Sequence, residues 1–221
     1  MCKICNGDYD PNMTQLNCSG CQRITEMPQL NLLTWLNCEN CPLLNTLPQL
    51  DQLTTLYCGN CPFLTTLPQL NLLRSLNCSN CPSLINIPQL DQLTHLFCSN
   101  CPSLINIPQL DQLTHLFCYN CPSLTKISQL NLLTELQCHN CPLLTTLPQL
   151  KQLIWLACQN CPLLCLPHKL RLKYNKKTNF IINKIRYQQL KTKRKYRTII
   201  VSIILDSTSF YDVLVGIIVN Y

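Results

Sequence analysis

Charge is scarce in this chain. Only 12% of its 221 residues are Asp, Glu, Lys or Arg, about half the usual share of a soluble domain. With 47% apolar residues, it is long enough for one domain of ordinary size. Valine is missing from residues 1–200: all four valines lie at or after Val201. Cysteine shows the opposite gap, since none of the 19 falls in the last 54 residues, 168–221. Basic residues are also rare early on. Residues 1–167 hold five Lys/Arg against eight acids, whereas residues 168–221 hold twelve against Asp206 and Asp212. These breaks mark two different parts joined near residue 168, and they argue for a separate origin of the tail. The opening stretch MCKICNGDYD lacks the apolar run of a secretory signal. An intracellular chain, cytoplasmic or nuclear, with reduced thiols is therefore expected. The odd cysteine count excludes complete pairing within the chain in any compartment.

What is present in quantity is a repeat. Residues 78–97 and 98–117 both read CSNCPSLINIPQLDQLTHLF, letter for letter. Eight units of twenty residues start at Met13, Leu33, Leu53, Leu73, Leu93, Leu113, Leu133 and Leu153. Within a unit the apolar positions are 1, 4, 6, 9, 12, 15 and 18, as in Leu53, Leu56, Cys58, Cys61, Leu64, Leu67 and Leu70. Neither a helix nor a strand period produces that pattern. A coil that turns once per repeat does. Leu56-Tyr57-Cys58 alternates as a short strand must, while Pro62 and Pro68 exclude helix interior and central strand. The return path is then turns and extended polyproline-like chain, with Gln69 and the following Asp or Asn at corners. Rungs stacked at about 4.8 Å make a parallel sheet roughly 40 Å long. The predicted organisation is an N-terminal cap or degenerate half-repeat over 1–12, eight repeats over 13–170, and a basic, then apolar, tail over 171–221.

The pattern L-x-x-L-x-C-x-x-C-x-x-L resembles the constant half of a leucine-rich repeat, with Cys where Asn often stands. The following L-P-Q-L resembles the short convex segment of bacterial effector-type repeats. The resemblance covers about residues 11–170. It extends to the leucine-rich repeat proteins of giant amoebal viruses, which share the Cys-, Asn- and Ile-rich composition. It implies a repeat solenoid with the parallel sheet on a concave face and irregular convex segments. It also raises an effector-like ubiquitin-ligase component, which would need a second domain with a catalytic cysteine. The cysteine-free tail argues against that, and no enzyme is expected.

Neighbouring cysteine pairs read C-x2-C-x16-C-x2-C, as from Cys38 to Cys61, a spacing within the zinc window. The repeat length enforces that spacing whatever the thiols do. Position 6 (Cys38, Cys58, Cys78 and equivalents) is read as inward-pointing small hydrophobes, and position 9 (Cys41, Cys61, Cys81 and equivalents) as the bend after the strand. No cofactor and no metal is expected, with less than one zinc per chain. Like columns about 4.8 Å apart leave disulfides between rungs open in an oxidising environment. Cys2-x-x-Cys5 stands sixteen positions before Cys18-x-x-Cys21. It is read as part of the cap, with a private metal site of Cys2, Cys5, Cys18 and Cys21 as the alternative.

Positions 3, 5 and 7 should point outward along the sheet, and those columns vary. They hold Trp35, Tyr57, His95, Phe97, His115, Phe117, Tyr119, His139 and Trp155, of which His95, Phe97, His115, Phe117 and Tyr119 should form one aromatic patch. Such a patch on a rigid face suits a protein partner. The two histidines show no nucleophile, paired carboxylate or metal partner in adjoining columns, which argues against a catalytic reading. Asn40 to Asn160, at position 8 of seven successive units, are read as structural residues of the bend. In the tail, KTKRKYR (191–197) makes residues 169–197 a candidate nucleic-acid or nuclear-entry segment. Residues 198–221 are a candidate membrane anchor, against which Asp206 and Asp212 weigh, and the whole tail is a candidate cap for the last rung. A monomeric protein-binding scaffold is the expectation.

Overall fold

A computed structural model describes residues 2–165 and 180–182 of the chain. Those residues form a ladder of coils with no helix among them, so none long and apolar enough to cross a membrane. Each coil begins with a three-residue strand at positions 3–5. These are β1 (Gln15–Asn17), β2 (Trp35–Asn37), β3 (Thr55–Tyr57), β4 (Ser75–Asn77) and β5 (His95–Phe97). After the short β6 (Asn106–Ile107) come β7 (His115–Phe117), the short β8 (Lys126–Ile127), β9 (Glu135–Gln137) and β10 (Trp155–Ala157). The eight three-residue strands pair parallel in the order β1-β2-β3-β4-β5-β7-β9-β10, enclosing seven full turns. Register is kept throughout: Leu76, Leu96 and Leu116 face one another across three strands. The chain is a parallel β-solenoid with turns of about twenty residues.

Two β-turns close each coil from the second to the seventh. At Cys41-Pro42-Leu43-Leu44 the Leu44 amide donates to the Cys41 carbonyl at 3.1 Å, with proline at the turn position that its fixed φ favours. At Leu50-Asp51-Gln52-Leu53 the Leu53 amide donates to Leu50 at 3.0 Å. Between strand and first turn the chain must change hand, and position 8 does it. Asn40, Asn60, Asn80, Asn100, Asn120, Asn140 and Asn160 all have φ of 55–59°, the left-handed region that Asn tolerates best after Gly. The first coil has Gly20 at that place, φ 72°.

The return path is less irregular than the prolines imply. β6 and β8 form a second, two-stranded parallel sheet at positions 14–15, and isolated bridges continue it at Glu26–Thr46, Asn86–Asn106, Lys126–Thr146 and Thr146–Cys165. Pairing is fullest at Ile107 and Ile127, in two of the three coils whose position 15 is β-branched. There Ser128 also replaces the usual proline and donates its amide to Ile107 at 3.1 Å.

All seven expected apolar positions are buried from Leu33 to Leu156. They make one continuous core that no single coil encloses. Each fully buried leucine contributes about 1.5–3 kcal/mol relative to exposure, and the neighbours on both sides provide the burial. At the start, Cys2, Ile4, Cys5, Tyr9 and Met13 pack against this core from a loop held by turns such as Asp8 N to Lys3 O, 3.0 Å. At the other end β11 (Phe180–Ile182) pairs antiparallel with β10. The remainder of the tail lies outside the described residues, and with it the basic segment 191–197 and the candidate anchor 198–221.

Candidate binding face and N-terminal thiol cluster

In β2, β3, β4, β5, β7 and β9 the middle leucine is buried while its two neighbours are half-exposed. The outward columns at positions 3 and 5 follow from that alternation. Because like residues on consecutive coils are in register, identical rings must stack at the rung spacing of about 4.8 Å. They do: His95 and His115 have ring centroids 4.5 Å apart, Phe97 and Phe117 4.9 Å, and Tyr119 and His139 4.6 Å, all within 11° of parallel. Six of the nine sequence-selected residues thus form one patch on β5, β7 and the bends after β7 and β9. Trp35 and Tyr57 form a separate edge-to-face pair at 6.0 Å, with Ser75 and Asn77 of β4 between them and the patch. Trp155 lies apart on β10, opposite Glu135 in register.

Hydroxyls orient the imidazoles. Thr94 Oγ1 lies 2.9 Å from His95 Nδ1, and Thr114 Oγ1 lies 2.8 Å from His115 Nδ1. Each hydroxyl has one proton and donates it to a main-chain oxygen one coil back, Arg74 O for Thr94 and Thr94 O for Thr114, both at 2.9 Å. What faces Nδ1 is therefore a lone pair, so Nδ1 carries the hydrogen. Nε2 is left toward the open face. Glu135 supplies the carboxylate that the sequence reading did not find: its Oε1 lies 3.9 Å from His115 Nε2, one coil further along the same column. Burial, then the neighbouring His115, holds His95 below the ordinary imidazole value of 6.5, against the pull of Glu135. Burial alone lowers His139, whose Nδ1 has no hydrogen-bond partner among the described residues.

Two further contacts shape the face near its start. Glu39 Oε1 accepts from Asn77 Nδ2 at 2.8 Å, two coils away. It reaches over Gly59, where an added Cβ would sit 3.0 Å from the Ser79 carbonyl and 3.4 Å from that carboxylate oxygen. The only sign of this in the sequence is a glycine in a column that elsewhere carries side chains.

The ladder cysteines are core, and position 9 has a second task. Cys41, Cys61, Cys81, Cys101, Cys121, Cys141 and Cys161 each donate their thiol to the main-chain oxygen of the position-6 cysteine one coil earlier, at 3.0–3.3 Å. Burial pushes the position-6 thiols Cys58, Cys78, Cys98, Cys118 and Cys138 well above their ordinary 9.0. It pushes Cys101 up to about 11 and Cys61, Cys81, Cys121 and Cys141 up to about 12, where a main-chain hydrogen bond opposes it. Neutral thiols in a dry core follow from the cost of burying the charged form.

Cys21 differs. The place that a preceding coil takes elsewhere is taken here by the loop of residues 2–8, and the Cys21 sulfur meets Cys5 Sγ at 3.3 Å. Cys2, Cys5 and Cys21 have sulfurs all within 4.8 Å of one another. Cys18 is not among them, although its spacing grouped it with them. It sits at position 6, buried in the ladder, its thiol 3.5 Å from Asn37 O. Cys5 is pushed up to about 11, first by its hydrogen bond to Cys21 and then by burial. Burial opposes ionisation of Cys21, but the main-chain hydrogen bonds at Arg23 and Ile24 and the Cys5 thiol together hold it below the ordinary value.

No family model matches this chain, and no curated protein is similar to it.

Proposed function

We propose that this chain is a non-enzymatic leucine-rich repeat scaffold, of the kind found in giant amoebal viruses, that binds a protein partner on the concave face of its sheet. The stacked column pair His95/His115 and Phe97/Phe117, continued by Tyr119/His139, carries this reading. Rings held parallel by the ladder present a flat area at little further entropic cost, which is what the centre of an interface needs. The three outward columns contain Glu39 and Glu135 but neither Lys nor Arg. An aromatic surface rimmed by carboxylates favours a partner segment bearing Arg or Lys, whose cation can lie over a ring. The histidines serve contact rather than chemistry: the threonine hydroxyls beside them give their protons to main-chain oxygens, the reverse of base-assisted activation.

Peptides selected by display on the intact protein test this. Selected sequences should be rich in Arg or Lys, and should lose at least tenfold in affinity for the Phe97→Ala, Phe117→Ala double variant. Peptides that bind both proteins equally would place the partner surface elsewhere.

A further inference from the structure

We propose that Cys2, Cys5 and Cys21 form a zinc site that ties the N-terminal loop to the first coil. From the second coil on, each position-9 thiol is used up as a donor to the coil before it. Cys21 occupies the same position, yet a thiol, not a carbonyl, stands opposite it. A sulfur facing a sulfur gains little as a hydrogen bond. Three sulfurs gathered at one point gain much more from a cation.

The geometry fits. Ligand sulfurs at about 2.3 Å from a tetrahedral zinc lie roughly 3.8 Å from one another. The three sulfurs here lie within 4.8 Å of each other, and Cys5 and Cys21 are 3.3 Å apart, so shifts of well under 1 Å per sulfur bring them to that spacing. All three donors are thiols, the set that soft and borderline d10 ions prefer over Mg or Ca. Three protein ligands leave the fourth tetrahedral position to water or an incoming donor. A zinc ion with three thiolates carries one net negative charge. Lys3 lies between two of the ligands in sequence and Arg23 two residues after the third, in a region of the chain with only five cations before residue 168. The site lies at the opposite end of the solenoid from β10, and it is independent of any partner on the sheet face.

The site also has a physical task. The first coil has no neighbour on one side except the loop of residues 2–12, whose contacts with the core are those of half-buried Cys2, Ile4, Cys5 and Tyr9. An ion joining two loop cysteines to one ladder cysteine closes that end. Ladder thiols cannot compete, since they lie in the leucine core, those at position 9 with their protons committed to carbonyls.

The test uses the full chain, reduced and stripped of metal, titrated with zinc against a chromophoric chelator and separately with Co(II). Expected are about one equivalent of zinc and a cobalt spectrum with sulfur-to-metal charge transfer and tetrahedral d–d bands. Cys2→Ser, in the half-exposed loop, should weaken zinc binding at least a hundredfold, while Cys165→Ser, exposed on the last coil, leaves it unchanged. A second measurement needs no variant. Zinc should shield Cys2, Cys5 and Cys21 from alkylation in the wild-type chain, read peptide by peptide by mass spectrometry, and leave Cys165 reactive. No zinc retained against the chelator, equal binding by Cys2→Ser, or alkylation of Cys2 and Cys5 unaffected by zinc would each overturn the proposal. So would several equivalents bound at the ladder.

Discussion

The thiol of Cys101 points at the main-chain oxygen of Cys78, 3.2 Å away on the coil before it. The Cys98 sulfur, three residues earlier, has no such acceptor among the described residues. Cys98 is therefore packing alone, and Cys101 is packing plus a hydrogen bond between coils. Serine substitution separates them. Cys98→Ser places an unsatisfied hydroxyl in a dry core and should cost about 1–3 kcal/mol. Cys101→Ser keeps a donor facing Cys78 O and should cost about 1 kcal/mol or less. Urea melts of the two variants decide it, and equal losses would show that the inter-coil thiol bond does not form.

Stability should fall steeply in alkali. Burial raises the folded values of Cys61, Cys81, Cys121 and Cys141 from 9.0 to about 12, and that of Cys101 to about 11. Below pH 9 both folded and unfolded chains hold these protons, and stability does not depend on them. Between 9 and 12 the unfolded chain releases protons that the folded chain keeps, so each such thiol lowers stability by up to about 1.4 kcal/mol per pH unit. Urea midpoints should be flat from pH 7 to 8.5 and drop above 9. A chain whose midpoint holds level to pH 11 would contradict buried neutral thiols.

A weaker, opposite dependence is expected in acid. His95 and His139 are held below 6.5 in the folded chain. The unfolded chain takes up these protons first as pH falls, so their contribution is present above 6.5 and is lost below it. NMR titration of the imidazole carbons should show both below the value of a denatured control, and a His139 midpoint at or above that control would refute burial of its ring.

Position 8 should accept glycine and reject alanine. Asn100 has φ 57° and its side-chain amide joins Asn80 and Asn120 in a chain of hydrogen bonds at 2.7–2.8 Å. Asn100→Ala meets the left-handed penalty of about 1–2 kcal/mol and loses those bonds. Asn60→Gly should cost about 1 kcal/mol or less, since Gly20 holds the same bend in the first coil. Thermal melts should rank wild type, Asn60→Gly and Asn100→Ala in that order.

The register itself is tested at Leu96 and Thr94. Leu96 is fully buried between Leu76 and Leu116, so Leu96→Asp should cost several kcal/mol and break the ladder in its middle. Thr94→Val keeps the shape of the side chain but removes the hydroxyl that reaches Arg74 O, at about 1 kcal/mol. Similar melting of the two variants would mean that inward and outward faces are misassigned.

The apolar positions were legible in the sequence because each buried column repeats the same residue type at the same place. The bend asparagines were legible as structural for the same reason. Contacts running along the solenoid were harder to see. The carboxylate nearest His115 belongs to Glu135, twenty residues on in the same column. The hydroxyl of Thr94 serves the coil before it, so that residue is not the free surface its place before the strand implies. Both links join like positions of successive coils, and inspection of a single repeat shows neither. Cys18 and Cys21 look equivalent as a C-x-x-C pair, yet one points into the core and the other meets Cys5. Strand alternation followed by a left-handed bend separates them, and spacing alone carries no record of that turn of direction.

Because residues 78–97 and 98–117 are identical, the stacked rings of His95 on His115 and Phe97 on Phe117 are a copy laid upon its original. Excision of either copy leaves a joint in which every thiol, amide and hydroxyl again meets its own kind. A third copy would do the same and add one more imidazole and one more phenyl to the column. Unequal exchange between the two stretches therefore edits this molecule in whole increments of about 4.8 Å, altering the length of its aromatic spine while both ends stay as they were.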